Sequence, residues 1–169
     1  VWYDFATIAK LAIRLSSVLG RRDHAHATSF AHNAATFIDR LHGLERIEAA
    51  IRAKFAGDGV AITEPVPLYL LQACGLVNKT PAAFSDAVEN GTGVSASVLQ
   101  KTLNLFASGA VHALVYNAQT SGPETTQVLA DARAHHVPAV AVTETLPAGT
   151  TYLSWMRANL AAVRSALAA

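Results

Sequence analysis

The sequence is poor in cysteine: Cys74 is the single one, so no disulfide bond can form within the chain. Its neighbours are apolar, including Leu70, Leu71 and Leu76. A lone cysteine in such a run predicts a small buried hydrophobic residue and not a nucleophile.

Long apolar runs are also lacking. The most hydrophobic region, 60–77, has Glu64, Pro65 and Pro67 near its start, which leaves it short of the ~18 apolar residues of a membrane span. The first residues, Val1 to Asp4, show neither the basic region nor the apolar run of a signal peptide, and there is no initiator methionine. We therefore expect a chain that begins within a longer protein and does not cross a bilayer.

A strong charge of either sign is absent. Lysine and arginine total 13 against 12 aspartates and glutamates, a net charge of +1. This balance gives no electrostatic reason to expect nucleic acid or an anionic membrane as a partner. Apolar residues make up 51% of the sequence and charged residues only 15%, a composition that excludes disorder and predicts a folded core.

The first third of the chain is predicted to be helical. Asp4 is a suitable N-cap, and apolar residues recur at helical spacing from there to Gly20. A second, longer helix of about thirty residues is predicted over Asp23–Phe55, where one apolar row is interrupted by Glu48. A helix of this length usually spans more than one packing unit.

Short apolar runs alternate with helical ones beyond this point. Strands are predicted near 60–63, 111–116 and 139–143, and Thr80-Pro81 indicates the N-cap and first residue of a short helix within 77–94. This order predicts an α/β fold. The expected architecture is a parallel sheet of three or four strands flanked by helices, preceded by a long linking helix and a short N-terminal helix.

Two of the predicted strands end in the same way, with Ile62-Thr63-Glu64 and Val142-Thr143-Glu144. If the strands are parallel, both carboxylates lie at the carboxyl edge of one sheet, where open α/β sheets bind ligands. Carboxylates suit Zn²⁺, Mn²⁺ or Fe²⁺ when other ligands complete the coordination shell. Each glutamate alone is more typical of a solvated loop residue than of a ligand, and it is the repeated strand-end pattern that favours a site. The pair also suits acid–base catalysis.

The remaining polar candidates are weaker. Tyr116, Asn117 and Gln119 end the middle strand near the same edge, where they could support a site or simply form a turn. The seven histidines are expected at the surface, at helix ends or at a strand start, and none is predicted to be a ligand; they are His24, His26, His32, His42, His112, His135 and His136.

Several segments together resemble the zinc- and manganese-type solute-binding proteins of ABC importers. These are Trp2-Tyr3-Asp4 before an alanine-rich helix, the long helix 23–55, and Ile62-Thr63-Glu64 followed by Tyr69 and Gly75-Leu76. In that family a histidine or glutamate ends a strand, with an aromatic residue five positions later and Gly-Leu at positions eleven and twelve. The similarity extends along the whole chain.

The resemblance implies a set of metal ligands. Glu64 occupies the position of the strand-end ligand, and Glu144, before the helix that starts at Tyr152, that of the last acidic ligand, which is usually aspartate. A further ligand histidine, within Asn-Pro-His-x-Trp-x-Asp, would directly precede Val1. The two glutamates are thus expected to form an incomplete site in this chain, and the glutamate at position 64 favours harder metals.

The resemblance also implies a function. Residues 1–22 would end an N-terminal lobe, 23–56 would link two lobes, and 57–169 would form a metal-binding C-terminal lobe. The expected activity is extracytoplasmic capture of zinc or manganese, with iron possible, for delivery to an ABC permease without catalysis. The parent protein would be periplasmic or anchored to the cell surface as a lipoprotein, and its N-terminal lobe would be the chain's other partner.

Two functions of other classes compete with this one. A Rossmann-like enzyme with a carboxylate pair would need a glycine-rich phosphate loop, and the sequence contains no G-x-G-x-x-G or Walker pattern. A helical interaction module would use the apolar row of 23–55 to bind a partner. The same row would equally be explained by contact with an N-terminal lobe.

Overall fold

The structure, a computed structural model, describes residues 1–169. The helices are α1 (Phe5–Arg22), α2 (Ala27–Phe55), α3 (Leu68–Ala73), α4 (Ala82–Glu89), α5 (Ala96–Ala107), α6 (Pro123–Ala134) and α7 (Tyr152–Leu167). The strands are β1 (Gly59–Ile62), β2 (Val77–Asn78), β3 (Ala113–Asn117) and β4 (Ala139–Val142). The predicted α/β class is confirmed, as are the long helix and the three predicted strands.

The four strands form one parallel sheet in the order β2-β1-β3-β4. The chain passes from β1 outward to β2 and then returns to place β3 on the other side of β1. The connection after β1 therefore runs towards one edge of the sheet and the connection after β3 towards the other, so the strand order reverses between β1 and β3. In open α/β sheets, the crevice outside the carboxyl ends of the strands at such a switch point is where ligands bind.

Each face of the sheet is covered by helices because successive strand residues point to opposite sides. Val60 and Ile62 belong to the larger core, which includes buried residues of α1, α2, α3 and α7. Ala61 and Leu114 belong to the smaller core, shared with α4, α5 and α6. The two central strands, β1 and β3, are thus buried on both faces, as is usual for parallel sheets. The edge strand β4 exposes Ala139 and Ala141 on one face.

The first two helices differ in how they start, since α1 has a capping side chain and α2 has none. Asp4 accepts a hydrogen bond from the Thr7 backbone N–H at 3.1 Å, which confirms it as the N-cap of α1. Gly20 lies inside α1, which continues to Arg22. The long helix starts at Ala27, four residues later than predicted, because Asp23 instead caps a short 3₁₀ turn by accepting from the His26 N–H.

The structure differs most clearly from the sequence-based prediction in the region 77–94. The Thr80 hydroxyl accepts from the Ile62 N–H at 2.8 Å and lies 3.2 Å from the Ile62 carbonyl, to which it donates. Thr80 therefore caps the edge of the sheet, and the prediction that it is the N-cap of α4 was wrong. The predicted short helix is present as α4, but the two-residue strand β2 was missed.

Cys74 is fully buried, as predicted, and burial raises the pKa of its thiol to about 12. The thiol is therefore uncharged at neutral pH, which is consistent with a packing role. None of the helices combines the length and the hydrophobicity that are needed to cross a lipid bilayer.

Candidate metal site

Glu64 lies two residues beyond β1, at the carboxyl edge of the sheet. Its side chain is only 7% exposed, and its Oε2 atom is buried without a hydrogen-bond partner. A buried carboxylate oxygen without a partner costs free energy, because folding removes its water and returns nothing. Such an oxygen is suited to accept a cation, and its position beside the switch point is where a ligand is expected.

Glu144 lies two residues beyond β4, at the same edge. Its side chain is exposed, and its carboxylate makes no hydrogen bond within the chain. Its backbone is nevertheless held from two directions. The Tyr3 hydroxyl donates to the Thr143 carbonyl at 2.6 Å, and the Glu144 N–H donates to Gln119 Oε1 at 2.7 Å.

The sheet places β3 between the strands that carry the two glutamates. Strands in a sheet lie about 4.8 Å apart, so β1 and β4 are separated by roughly 10 Å. Carboxylates that approach each other from these strands would meet above the end of β3, where Asn117 and Gln119 lie. The structure thus brings both predicted residues to one edge with the polar end of β3 between them.

A pocket of about 500 Å³ opens at this edge. Glu144 lines it, as do Pro65 and Val66, whereas Glu64, directly before them, does not. Glu89, at the end of α4, lines the same pocket and was not predicted from the sequence. The other lining residues are Val1, Trp2, Tyr3 and Tyr69.

The N-terminal segment is fixed against the pocket by two tyrosines. Tyr152 donates its hydroxyl hydrogen to the Trp2 carbonyl at 2.6 Å, and Tyr3 reaches Thr143 as described above. Asn159 Nδ2 donates to the Tyr3 hydroxyl at 3.2 Å. Burial raises the pKa of Tyr3 to about 12, so its hydroxyl remains a donor at neutral pH.

These tyrosine contacts were missed by sequence reasoning because they join residues about 140 to 156 positions apart. The one available signal was the aromatic residue at or just before the start of α1 and of α7. Aromatic packing supports the hydrogen bonds, since the Tyr3 and Trp155 rings meet edge to face with centroids 5.6 Å apart.

The chain alone does not assemble a complete transition-metal site. No group of three or more histidine, cysteine, aspartate or glutamate side chains is placed to hold an ion. Among the histidines, His26 lies near an exposed partner, with Nδ1 2.7 Å from Asp23 Oδ2. Within this chain, Glu64 and Glu144 are therefore not joined by a third side chain of these types at the same edge.

The fold and this edge can now be compared with known proteins. Residues 1–166 match the family model described as the periplasmic component A of the zinc-uptake complex. The chain belongs to this family. Its members are non-catalytic components of transport, in agreement with the prediction that the chain is not an enzyme. A comparison with curated proteins finds no match.

Solved structures of metal-binding solute-binding proteins share the fold. The laminin-binding protein Lmb of Streptococcus agalactiae, described as an adhesin with metal transporting activity, has a TM-score of 0.81 at 18% identity. FpvC of Pseudomonas aeruginosa, solved with Mn²⁺, has a TM-score of 0.73 at 20% identity. A Zn(II)-bound mutant variant of AdcAII from Streptococcus pneumoniae has a TM-score of 0.76 at 16% identity.

The matches cover nearly all of this chain but a smaller share of each related structure. The matches span 99%, 98% and 98% of this chain, but only 63%, 61% and 59% of Lmb, FpvC and AdcAII respectively. The chain therefore spans about three fifths of the length of the structures that it resembles.

Proposed function

We propose that this chain is the metal-binding C-terminal part of an extracytoplasmic solute-binding protein that captures a divalent transition metal for an ABC permease. Glu64 and Glu144 are the ligands that the chain supplies. The observation that carries this proposal is the unpartnered buried oxygen of Glu64 beside the β1/β3 switch point. Membership of the zinc-uptake family supports metal as the cargo.

The other ligands come from outside the chain in this proposal. Zinc is bound by four protein ligands in structural sites and by three in sites that leave one position for water or substrate. Two carboxylates are therefore too few. Val1 lines the pocket beside Glu144, so a ligand that precedes Val1 in a longer protein would enter at this edge. The isolated chain is therefore expected to bind metal weakly.

The cargo is a divalent metal of the kind that binds to carboxylates and imidazoles in the same site. Two glutamates in the ligand set favour Mn²⁺ or Fe²⁺ over Zn²⁺, because oxygen donors suit harder cations. Related structures were solved in complex with Mn²⁺, Ni²⁺ or Zn(II), so this fold accommodates several divalent ions.

An N-terminal lobe is the second proposed partner. Residues 1–22 would connect it, 23–56 would link the lobes, and 57–169 would form the C-terminal lobe. An apolar groove of about 520 Å³ between α1 and α2 supports this arrangement; it is lined by residues that include Ile8, Leu11, Leu15, Leu19, Phe30 and Phe37. The unmatched two fifths of the related structures supply enough chain to cover the groove.

The proposal is tested by metal titration of the full-length protein with Glu64→Gln and Glu144→Gln substitutions. Each change keeps the side chain's size and removes its charge, and we expect Mn²⁺ and Zn²⁺ affinity to fall by about 10-fold or more. Glu45→Gln, on α2 and outside the pocket, is the control and should leave affinity unchanged. Unchanged affinity in both site variants would reject the ligand assignment.

A further inference from the structure

The turn after β3 is hydrogen-bonded to the ends of both strands that precede the glutamates, β1 and β4. Thr63 directly precedes Glu64, and its hydroxyl accepts a hydrogen bond from the Asn117 N–H at 3.1 Å. The Asn117 side chain is 2% exposed, and its Oδ1 accepts from the Gln119 N–H at 3.0 Å. Hydrogen bonds therefore run without a break from the end of β1 to Gln119.

The side chain of Gln119 extends this connection to the end of β4. Its Oε1 accepts from the Glu144 N–H at 2.7 Å and from the Thr145 N–H at 3.0 Å. Its Nε2 donates to the Thr145 hydroxyl at 2.7 Å. Three hydrogen bonds from one exposed glutamine to two adjacent residues restrain the loop far more than a single contact would.

We propose that Gln119 is a positioning residue for the metal site, acting through the backbone of Glu144. This inference rests on the proposed function, because it assumes that Glu144 binds the cargo. The series of hydrogen bonds from Thr63 through Asn117 and Gln119 to Glu144 fixes the distance between the ends of β1 and β4. Gln119 itself does not bind the metal.

The need for such a restraint follows from the contrast between the two glutamates. Glu64 is held by burial, whereas the Glu144 side chain is exposed and has no hydrogen bond of its own. Metal–ligand distances tolerate only about ±0.2 Å, and a mobile loop would lower affinity by adding the entropy cost of ordering it. Fixing the Glu144 backbone removes much of that cost before the metal arrives.

A double-mutant cycle on the full-length protein tests the proposal, with Mn²⁺ and Zn²⁺ each titrated alone. Gln119→Met keeps the side chain's length but removes both polar atoms, and we expect affinity to fall about 10-fold. In the Glu144→Gln background the same change should have little further effect, because the ligand that it positions has already been altered. Thr145→Val removes one of the three bonds and should give a smaller loss.

The controls separate positioning from general stability. Gln100→Met breaks a similar bond, from Gln100 Nε2 to Asn104 Oδ1 at 2.9 Å on α5, and should leave affinity unchanged. Equal losses for Gln119→Met with and without the Glu144 substitution would overturn the proposal, as would no loss at all. If Glu144→Gln alone has no effect, the ligand assignment fails first, and a loss in Gln119→Met would then contradict action through Glu144.

Discussion

Glu48 is the residue whose chemistry conflicts most with its surroundings. It interrupts the apolar row of α2, yet the structure buries it to 7% exposure and leaves its Oε1 without a partner. Burial, followed by the nearby charges of Glu45 and Asp4, raises the pKa of its carboxyl from 4.5 to about 7, although Arg52 opposes the shift. Glu48 is thus protonated more readily in the folded protein than in the unfolded chain.

The sign of the pH dependence follows from this pKa. The folded state binds the Glu48 proton more tightly, so its contribution to stability is fully present below pH 4.5 and is lost as the pH rises through about 7. Glu48→Gln, which resembles the protonated form, should raise the melting temperature at about pH 8 and have little effect near pH 4.5. Thermal unfolding of both proteins across this range measures the difference.

Asp39→Asn provides the matched control, because it removes a negative charge from an exposed position of the same helix that does not contribute to the Glu48 shift. It should not reproduce the gain in melting temperature at high pH. A Glu48→Gln protein that is less stable than its parent at about pH 8 would show that the carboxylate has a favourable partner after all.

At the level of single residues, the sequence singled out the two glutamates as candidates because each follows a strand of recognisable composition. It could not show that Glu64 is buried with an unpartnered oxygen while Glu144 is exposed, since that difference depends on packing. Glu89 was missed for the same reason: nothing around it in the sequence indicates that the end of α4 reaches the pocket.

Among the elements, the turn from α3 to β2 explains the glycine at position 75. Gly75 has φ +75°, and a Cβ added there would lie 2.9 Å from Arg52 Cγ and 3.3 Å from Ala56 Cβ. The Arg52 guanidinium also donates to the Ala73 carbonyl at 2.7 Å, which joins α2 to the end of α3. The glycine is therefore needed both for its conformation and for the close approach of α2.

Gly75→Ala and Gly91→Ala separate these two requirements. Gly91 also has positive φ, +63°, but nothing lies within 4 Å of its added Cβ. We expect Gly91→Ala to cost about 1–2 kcal/mol from backbone strain alone. Gly75→Ala should cost about 1–3 kcal/mol more, because the methyl group is also overpacked.

Chemical denaturation of both glycine variants measures these costs. If the two were equally destabilised, the contact between α2 and the α3–β2 turn would have no energetic significance.

The elements that were predicted correctly have strong local patterns. The last helix begins at Tyr152 and the long helix ends at Phe55, both as predicted. The errors lie where long-range contacts decide the structure. β2 has only two residues, so it has no pattern of its own, and Thr80 bonds to Ile62 across the sheet and not to the helix beside it.

For the whole molecule, the exposed apolar face of α1 is the main feature without an explanation inside the chain. Tyr3, Phe5 and Ile8 are buried in the larger core, whereas Leu11 is 50% exposed and Leu15 is 54% exposed. The start of the helix therefore packs on the larger core, and its other apolar residues open into the groove with α2. Contact with the proposed N-terminal lobe would bury them.

This arrangement predicts different surface properties for the chain and for the longer protein. The isolated 169-residue chain should bind a hydrophobic dye such as ANS, and the double change Leu11→Ser and Leu15→Ser should reduce that binding. Leu146→Ser, at an equally exposed leucine outside the groove, is the control. In the longer protein the groove should be covered and dye binding should largely disappear.

Light scattering on the isolated chain distinguishes the alternative occupants of the groove. A discrete dimer that binds no dye would show that a second copy covers this face and would favour a helical interaction module. Undiminished dye binding in the longer protein would also contradict the proposed lobe contact.

The central claim is that Glu64 and Glu144 together bind the metal, and anomalous diffraction from crystals of the full-length protein with Mn²⁺ tests it most directly. The account predicts one strong anomalous peak above the end of β3, with a carboxylate oxygen of each glutamate at about 2.0–2.2 Å. A metal peak that contacts neither glutamate, with both side chains ordered, would contradict it.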